Sequence, residues 1–241
     1  GIRTETHQCL PHETVQSQMT ASHNRNINNP KNHSHMKAFI ATVFFFCLSA
    51  VLQARDMKQL FVQMPTELLP ELSADNKLDC IDFLASGMKA TVQNKFGENS
   101  SLLVINDKYA LMKVSSAMQC EMRLLTDGSD SLICIVKTYY TPGAESTVEF
   151  YDTKWHKQPS SAYLTMPSLK DFETSPLCNT QAPKPGTVLI QARLSDSEDA
   201  ITFTLDCWDS NPDLRNQLEQ CLKKELPYRW QKNRFEPSST Q

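Results

Sequence analysis

Met118-Gln119-Cys120-Glu121-Met122-Arg123-Leu124 is the stretch on which the fold turns. Met118, Cys120, Met122 and Leu124 alternate with Gln119, Glu121 and Arg123, the period of two expected of a strand with one face in a core and the other in water. Asp127-Gly128 marks a turn after it, and residues 132–140 form a second, more continuously apolar strand. Pro142-Gly143 marks the next turn and leads into a strand over 147–151, while residues 109–114 supply an earlier one. Further along, Val188, Ile190, Ala192 and Leu194 share one face of a strand, and Ile201, Phe203, Leu205 and Cys207 share one face of its hairpin partner, with 195–199 as the loop. Between the two groups, residues 158–185 are rich in Pro, Ser and Thr and read as a long irregular connection.

Upstream of these strands the period lengthens. Pro65 and Pro70 cut the apolar groups around Leu60 and Leu68 into short helical turns. Ser73 is placed to cap a helix in which Leu78, Ile81, Leu84, Ala85 and Met88 recur at i, i+3, i+4, the stripe expected to face a core. Near the end, Asn211-Pro212 reads as an N-cap and first helical position, Leu214, Leu218, Cys221, Leu222 and Leu226 as the stripe, and Pro227 as the stop. The sequence thus predicts an α+β fold: N-terminal helices packed on one face of an antiparallel meander sheet, with a C-terminal helix. No βαβ alternation is present, which argues against a doubly wound nucleotide fold.

The segment before residue 55 has a different character. Residues 1–35 are polar, rich in Asn, Gln, Thr and His, and read as a disordered leader upstream of the true start at Met36. Lys37 followed by the charge-free apolar run 38–52 suits a signal peptide over 36–54, cleaved near Ala54 or, alternatively, Ala50. The run is short for a bilayer, which takes about 20 residues. Phe44-Phe45-Phe46 before Cys47 does not suit a lipoprotein signal. The expectation is a soluble periplasmic or secreted protein: a single domain over 55–232, a frayed tail over 233–241, and no membrane span in the mature chain.

Export changes which residues matter. Five of the six histidines precede Met36, so the His-rich appearance of the chain leaves with the leader. Residues 1–54 also hold four of the 24 Lys/Arg and two of the 27 Asp/Glu, leaving 20 against 25 and a net charge of −5. That mild acidity without a basic run argues against nucleic acid as a partner. Six cysteines remain (Cys80, Cys120, Cys134, Cys178, Cys207, Cys221), an even number that permits disulfides without fixing their pairing. Cys120 and Cys134, on either side of the Asp127-Gly128 turn, are candidate cross-strand neighbours.

The remaining chemistry is sparse. Glycines are scattered, so no phosphate-cradling loop exists, and no GxSxG elbow is present. His156 is the single histidine available as a base and sits in a charged segment after a strand. Asp79 and Asp82 can lie side by side on a helix for acid/base work, or be two solvated acids. Asp196, Glu198 and Asp199 fit a hairpin loop and lack the spacing of a calcium loop. Tyr139, Tyr140, Trp155, Trp208 and Trp230 are candidates for an aromatic binding surface, although Trp208 and Trp230 flank the final helix and equally fit a packing role.

RDMKQLFVQMPTELLPEL (55–72), NKLDCIDFL (76–84), FYDTKW (150–155) and YLTMPSLKDF (163–172) together resemble an uncharacterised family of exported proteins from Bacteroidales, domain of unknown function 3256. The resemblance implies a bacterial envelope setting and brings no functional residues with it. The sequence therefore assigns no catalytic, cofactor or metal residues. It favours an exported, non-enzymatic binding or protein-interaction protein, with an envelope protein or a small apolar or peptide-like ligand as partner. A carboxylate-dependent hydrolase of the envelope, built on Asp79 and Asp82, is the alternative.

Overall fold

Strand β4 (Met118–Asp127) takes up the alternation of the opening stretch and pairs antiparallel with β5 (Asp130–Tyr139) over its whole length, from Met118↔Tyr139 to Asp127↔Asp130. The structure is a computed structural model and describes residues 56–127, 130–174, 188–207 and 221–238. Around this central pair, β1 (Thr91–Gln93), β2 (Asn99–Ile105), β3 (Tyr109–Lys113), β6 (Glu145–Asp152) and β7 (Lys157–Gln158) complete a seven-stranded antiparallel sheet in sequence order. A second sheet, in the order β11-β10-β9-β8, consists of β8 (Val188–Leu194), β9 (Ala200–Cys207), β10 (Glu225–Gln231) and β11 (Arg234–Pro237).

Among the described residues the helices are α1 (Met57–Gln63), a 3-10 turn (Thr66–Leu68), α2 (Ala74–Ala85), α3 (Ser160–Tyr163) and α4 (Leu169–Phe172), all short. Helix α2 starts as its sequence dictates. The Ser73 hydroxyl accepts from the Asn76 N–H at 3.0 Å while the Asn76 side chain accepts from the Ser73 N–H at 3.1 Å, a closed capping box.

The expected α+β class is therefore corrected. The described chain is mostly β, in two antiparallel sheets of seven and four strands with a handful of short helices. The physical reason lies on β4. Alternation placed Glu121 and Arg123 in water, yet both are 2 % exposed, because the second sheet covers that face. The Glu121 carboxylate accepts from the Leu194 N–H at 2.8 Å, and the Arg123 guanidinium donates to the Ser195 carbonyl and the Asp199 carboxylate, each at 2.8 Å. A buried polar face is stable when its groups find partners, and a period of two looks the same whether those partners are water or another sheet.

The two faces of the large sheet belong to two separate cores. Met112, Cys120, Met122, Ile133 and Ile135 pack with Met57, Leu60, Phe61 and Leu72. On the other side, Leu125, Cys134, Val136 and Phe150 meet Ala192, Ile201, Phe203, Tyr228 and Phe235 of the second sheet, with Leu164 and Phe172 alongside. Aromatic pairs knit this second core, Phe203 edge-on to Tyr228 at 5.2 Å and Trp230 edge-on to Phe235 at 5.1 Å. Each fully buried aromatic or aliphatic side chain contributes about 1.5–3 kcal/mol.

Two further expectations change at the C-terminus. The proposed final helix falls mostly outside the described residues, but its last residues, Leu226 and Pro227, lie in strand β10. There Leu226, Tyr228 and Trp230 face the second core at the strand period. Residues 233–241 were expected to fray, whereas Arg234–Pro237 is strand β11, with Phe235 buried. Lys232 and Asn233 join β10 to β11 as a two-residue loop, both at positive φ (52° and 61°), the geometry that matches the twist of a tight hairpin. Lys-Asn is a weaker signal for that turn than Asn-Gly, which hid the hairpin. Cys120 faces Lys137 and Cys134 faces Arg123, so the two thiols lie in different cores and are free rather than cross-strand neighbours. Cys221 is disulfide-bonded.

Candidate functional site

Helix α2 buries an unexpected face. Its fully buried side chains are Lys77 and Cys80, while its apolar stripe is only partly covered: Leu78 is 45 % exposed and Ile81 and Leu84 are half-buried against the first core, with Met88, just past the helix, 52 % exposed. The Lys77 ammonium is held by the Met64 carbonyl at the end of α1, and burial lowers its pKa, with Lys95 adding to the effect. The hydrocarbon of its long stem adds to the apolar surface that the partly buried Ile81, Phe83 and Leu84 pack against the first core.

Beside the stripe runs β2, which carries a bulge: Leu102 pairs with Met112 and Val104 with Leu111, leaving Leu103 as the extra residue. A regular strand alternates its side chains between faces. The bulge instead lets Leu103, Val104 and Ile105 line one groove with Lys58, Ile81, Leu84 and Ala85, enclosing about 440 Å³. Leu103 is 51 % exposed. On the outer side of β2, β1 covers only Asn99–Ser101, and Ala90 takes the Leu102 N–H at 2.9 Å, so among the described residues the backbone edge from Leu103 to Ile105 has no strand partner. Lys58, on the groove wall, is the one charged lining residue and makes no ion pair among the described residues.

A second hollow, between α4, β10 and β11, has polar walls whose groups are already engaged. Lys223 donates to the Asp171 carbonyl at 3.3 Å, Ser238 to the Pro227 carbonyl at 2.9 Å, and Ser168 to the Asp171 carboxylate at 2.7 Å.

The candidates named from sequence are spread over the surface rather than gathered. Asp79 and Asp82 are exposed on α2 and line neither of these two hollows. His156 is exposed, and its Nδ1 lies 2.9 Å from Asp152, whose carboxylate also accepts from the Lys154 and His156 N–H groups. Slight burial pushes the Asp152 pKa up, but these hydrogen bonds outweigh it and hold the carboxyl below its usual value. The pair closes the turn between β6 and β7. Asp199 and Glu198 form ion pairs with Arg123 and Arg229 at 2.8 and 2.9 Å, so this acidic loop ties strands together.

Tyr139 and Tyr140 are both substantially exposed, and neither is core. Trp155 lies against Tyr151 with ring centroids 5.9 Å apart, and Trp230 stacks on Tyr163 at 6.2 Å; both pack existing cores. Trp208 lies outside the described residues. No group of three His, Cys, Asp or Glu able to hold a metal occurs among the described residues, and no described helix is long and apolar enough to cross a membrane.

The groove-forming residues Lys58 and Leu103–Ile105 were not singled out from sequence. The one signal for them was the unbroken apolar run 102–105, too continuous for a strand with a wet face.

No curated protein matches the chain. Among solved structures, a domain of an uncharacterized protein from Porphyromonas gingivalis W83 is similar with a TM-score of 0.66 and 22 % identity, covering 76 % of this chain and 98 % of that one, a likeness of fold. The model of a protein family described as "Protein of unknown function (DUF3256)" matches residues 49–235, and the chain belongs to that family.

Proposed function

We propose that this is an exported, non-enzymatic binding protein whose α2–β2 groove takes an apolar ligand. The observation that carries the reading is the partly open α2: a lysine and a cysteine are buried, Leu78 is left exposed, and Ile81 and Leu84 line a groove with a bulged, open strand edge. Leaving such a stripe wet costs stability, at about 25 cal/mol per Å² of apolar surface, and exposed apolar patches of this kind mark interaction sites. Export is supported by the signal-peptide pattern over 36–54.

The groove is tested with the neutral dye Nile red. Its fluorescence is expected to rise on the native protein and to lose that rise in Leu103→Asp, with circular dichroism unchanged. No rise, or a rise indifferent to Leu103→Asp, counts against the groove. Export is tested by fractionating cells that express the chain and sequencing the N-terminus. A processed protein starting near Arg55 outside the cytoplasm is expected; an uncleaved cytoplasmic protein would overturn export.

A further inference from the structure

We infer that the groove receives the apolar C-terminal end of a partner polypeptide, with its terminal carboxylate paired to Lys58; this rests on the groove reading above. Charge decides the chemistry of the occupant. Every lining residue is apolar except Lys58, whose ammonium has no ion-pair partner among the described residues, so the complementary occupant is apolar with one negative charge.

The backbone decides that it is a polypeptide. Among the described residues Leu103 to Ile105 presents an unpartnered strand edge, which a peptide can pair through its own N–H and C=O groups and a fatty acid cannot. Length decides that it is a chain end. At one side the edge stops where Ala90 takes the Leu102 N–H. At the other, the Met57 N–H donates to the Asp107 carbonyl at 2.9 Å and brings in the first turn of α1, which carries Lys58. A strand passing through needs a longer edge than the three residues between these stops; a terminus does not. The bulge at Leu103 also discourages sheet-to-sheet pairing with a second long strand.

The test measures fluorescence anisotropy of two labelled peptides on the full chain, both ending in Val-Leu-Ile, one with a free carboxylate and one amidated. The acid is expected to bind about fivefold tighter than the amide, the size of a solvent-exposed ion pair. Lys58→Met should abolish that difference, and Lys58→Arg should preserve it. Equal binding of acid and amide, or a preference that survives Lys58→Met, overturns the carboxylate assignment. If Nile red binds in a Leu103-dependent manner but laurate displaces it and neither peptide does, the occupant is a lipid, and this inference fails while the groove reading stands. If Nile red does not bind, the groove reading fails and takes this inference with it.

Discussion

Replacing Asp199 by alanine should destabilise the protein more than replacing Arg123 by methionine, although the two side chains form one ion pair. The Arg123 side chain is 3 % exposed and that of Asp199 is 28 % exposed, at 2.8 Å. Without Asp199, the Ser195 carbonyl, at 2.8 Å, is the one partner the buried guanidinium keeps among the described residues. Leaving a buried charge half-satisfied costs about 3–5 kcal/mol in general, and the partial exposure of the site favours the lower end, about 3 kcal/mol. Without Arg123, the more exposed carboxylate rehydrates, and methionine fills part of the volume. That loss is about 1–2 kcal/mol, mainly the hydrogen bond to Ser195. At roughly 2–4 °C per kcal/mol for a domain of this size, Asp199→Ala should lower Tm by about 6–12 °C. The double variant should resemble Arg123→Met, since the charge that suffers has gone. Equilibrium unfolding in urea, followed by tryptophan fluorescence, measures all three. If Arg123→Met proves equal to or worse than Asp199→Ala, the buried-charge account of how β4 meets the second sheet is wrong.

Glu121 is expected to make stability fall as pH rises. Burial raises its pKa above 4.5 despite hydrogen bonds from the Leu194 N–H, Gln119 and Tyr109, so the folded state holds the proton more tightly than the unfolded chain. Its stabilising contribution is therefore full below the unfolded pKa and is lost as pH climbs through the folded one; unfolding midpoints across pH for wild type and Glu121→Gln should show that slope only in the wild type. Gly143→Ala should cost about 1–2 kcal/mol, because a Cβ there meets the Asp206 carboxylate at 2.9 Å and Leu189 at 3.1 Å. Combining it with Asp206→Ala should recover part of the strain but forfeit the hydrogen bond that the Ala144 N–H donates to that carboxylate at 2.6 Å; a thermal-melt double-mutant cycle reads the coupling, and strict additivity would refute it. Cys80, Cys120 and Cys134 should resist alkylation at pH 8 until the protein unfolds, with burial pushing Cys120 up to about 12, while peptide mapping finds Cys221 oxidised. Rapid labelling of any of the three in the folded protein contradicts their burial.

The local elements of this protein are written in short sequence patterns. Residues 118–124 fix β4 through a period of two, Ser73 and Asn76 fix the start of α2 through reciprocal hydrogen bonds, and the 188–194 and 201–207 alternations fix the hairpin of the second sheet. Such signals are legible because they depend on neighbours a few residues away. What covers each face is a different matter. Glu121 and Arg123 look like water-facing residues because burial of a charged group requires partners, and theirs, Leu194 and Asp199, are more than 70 residues distant. The same limit applies to the candidate site. The Leu78, Ile81, Leu84 stripe was readable as amphipathic, but only the packing of α2 on Lys77 and Cys80, beside a bulge at Leu103, left Leu78 exposed and set Ile81 and Leu84 at the core margin as groove wall. By itself the sequence determined which residues alternate, cap and turn. The tertiary structure decided which alternating faces stay wet, because burial depends on what the rest of the chain brings to cover them.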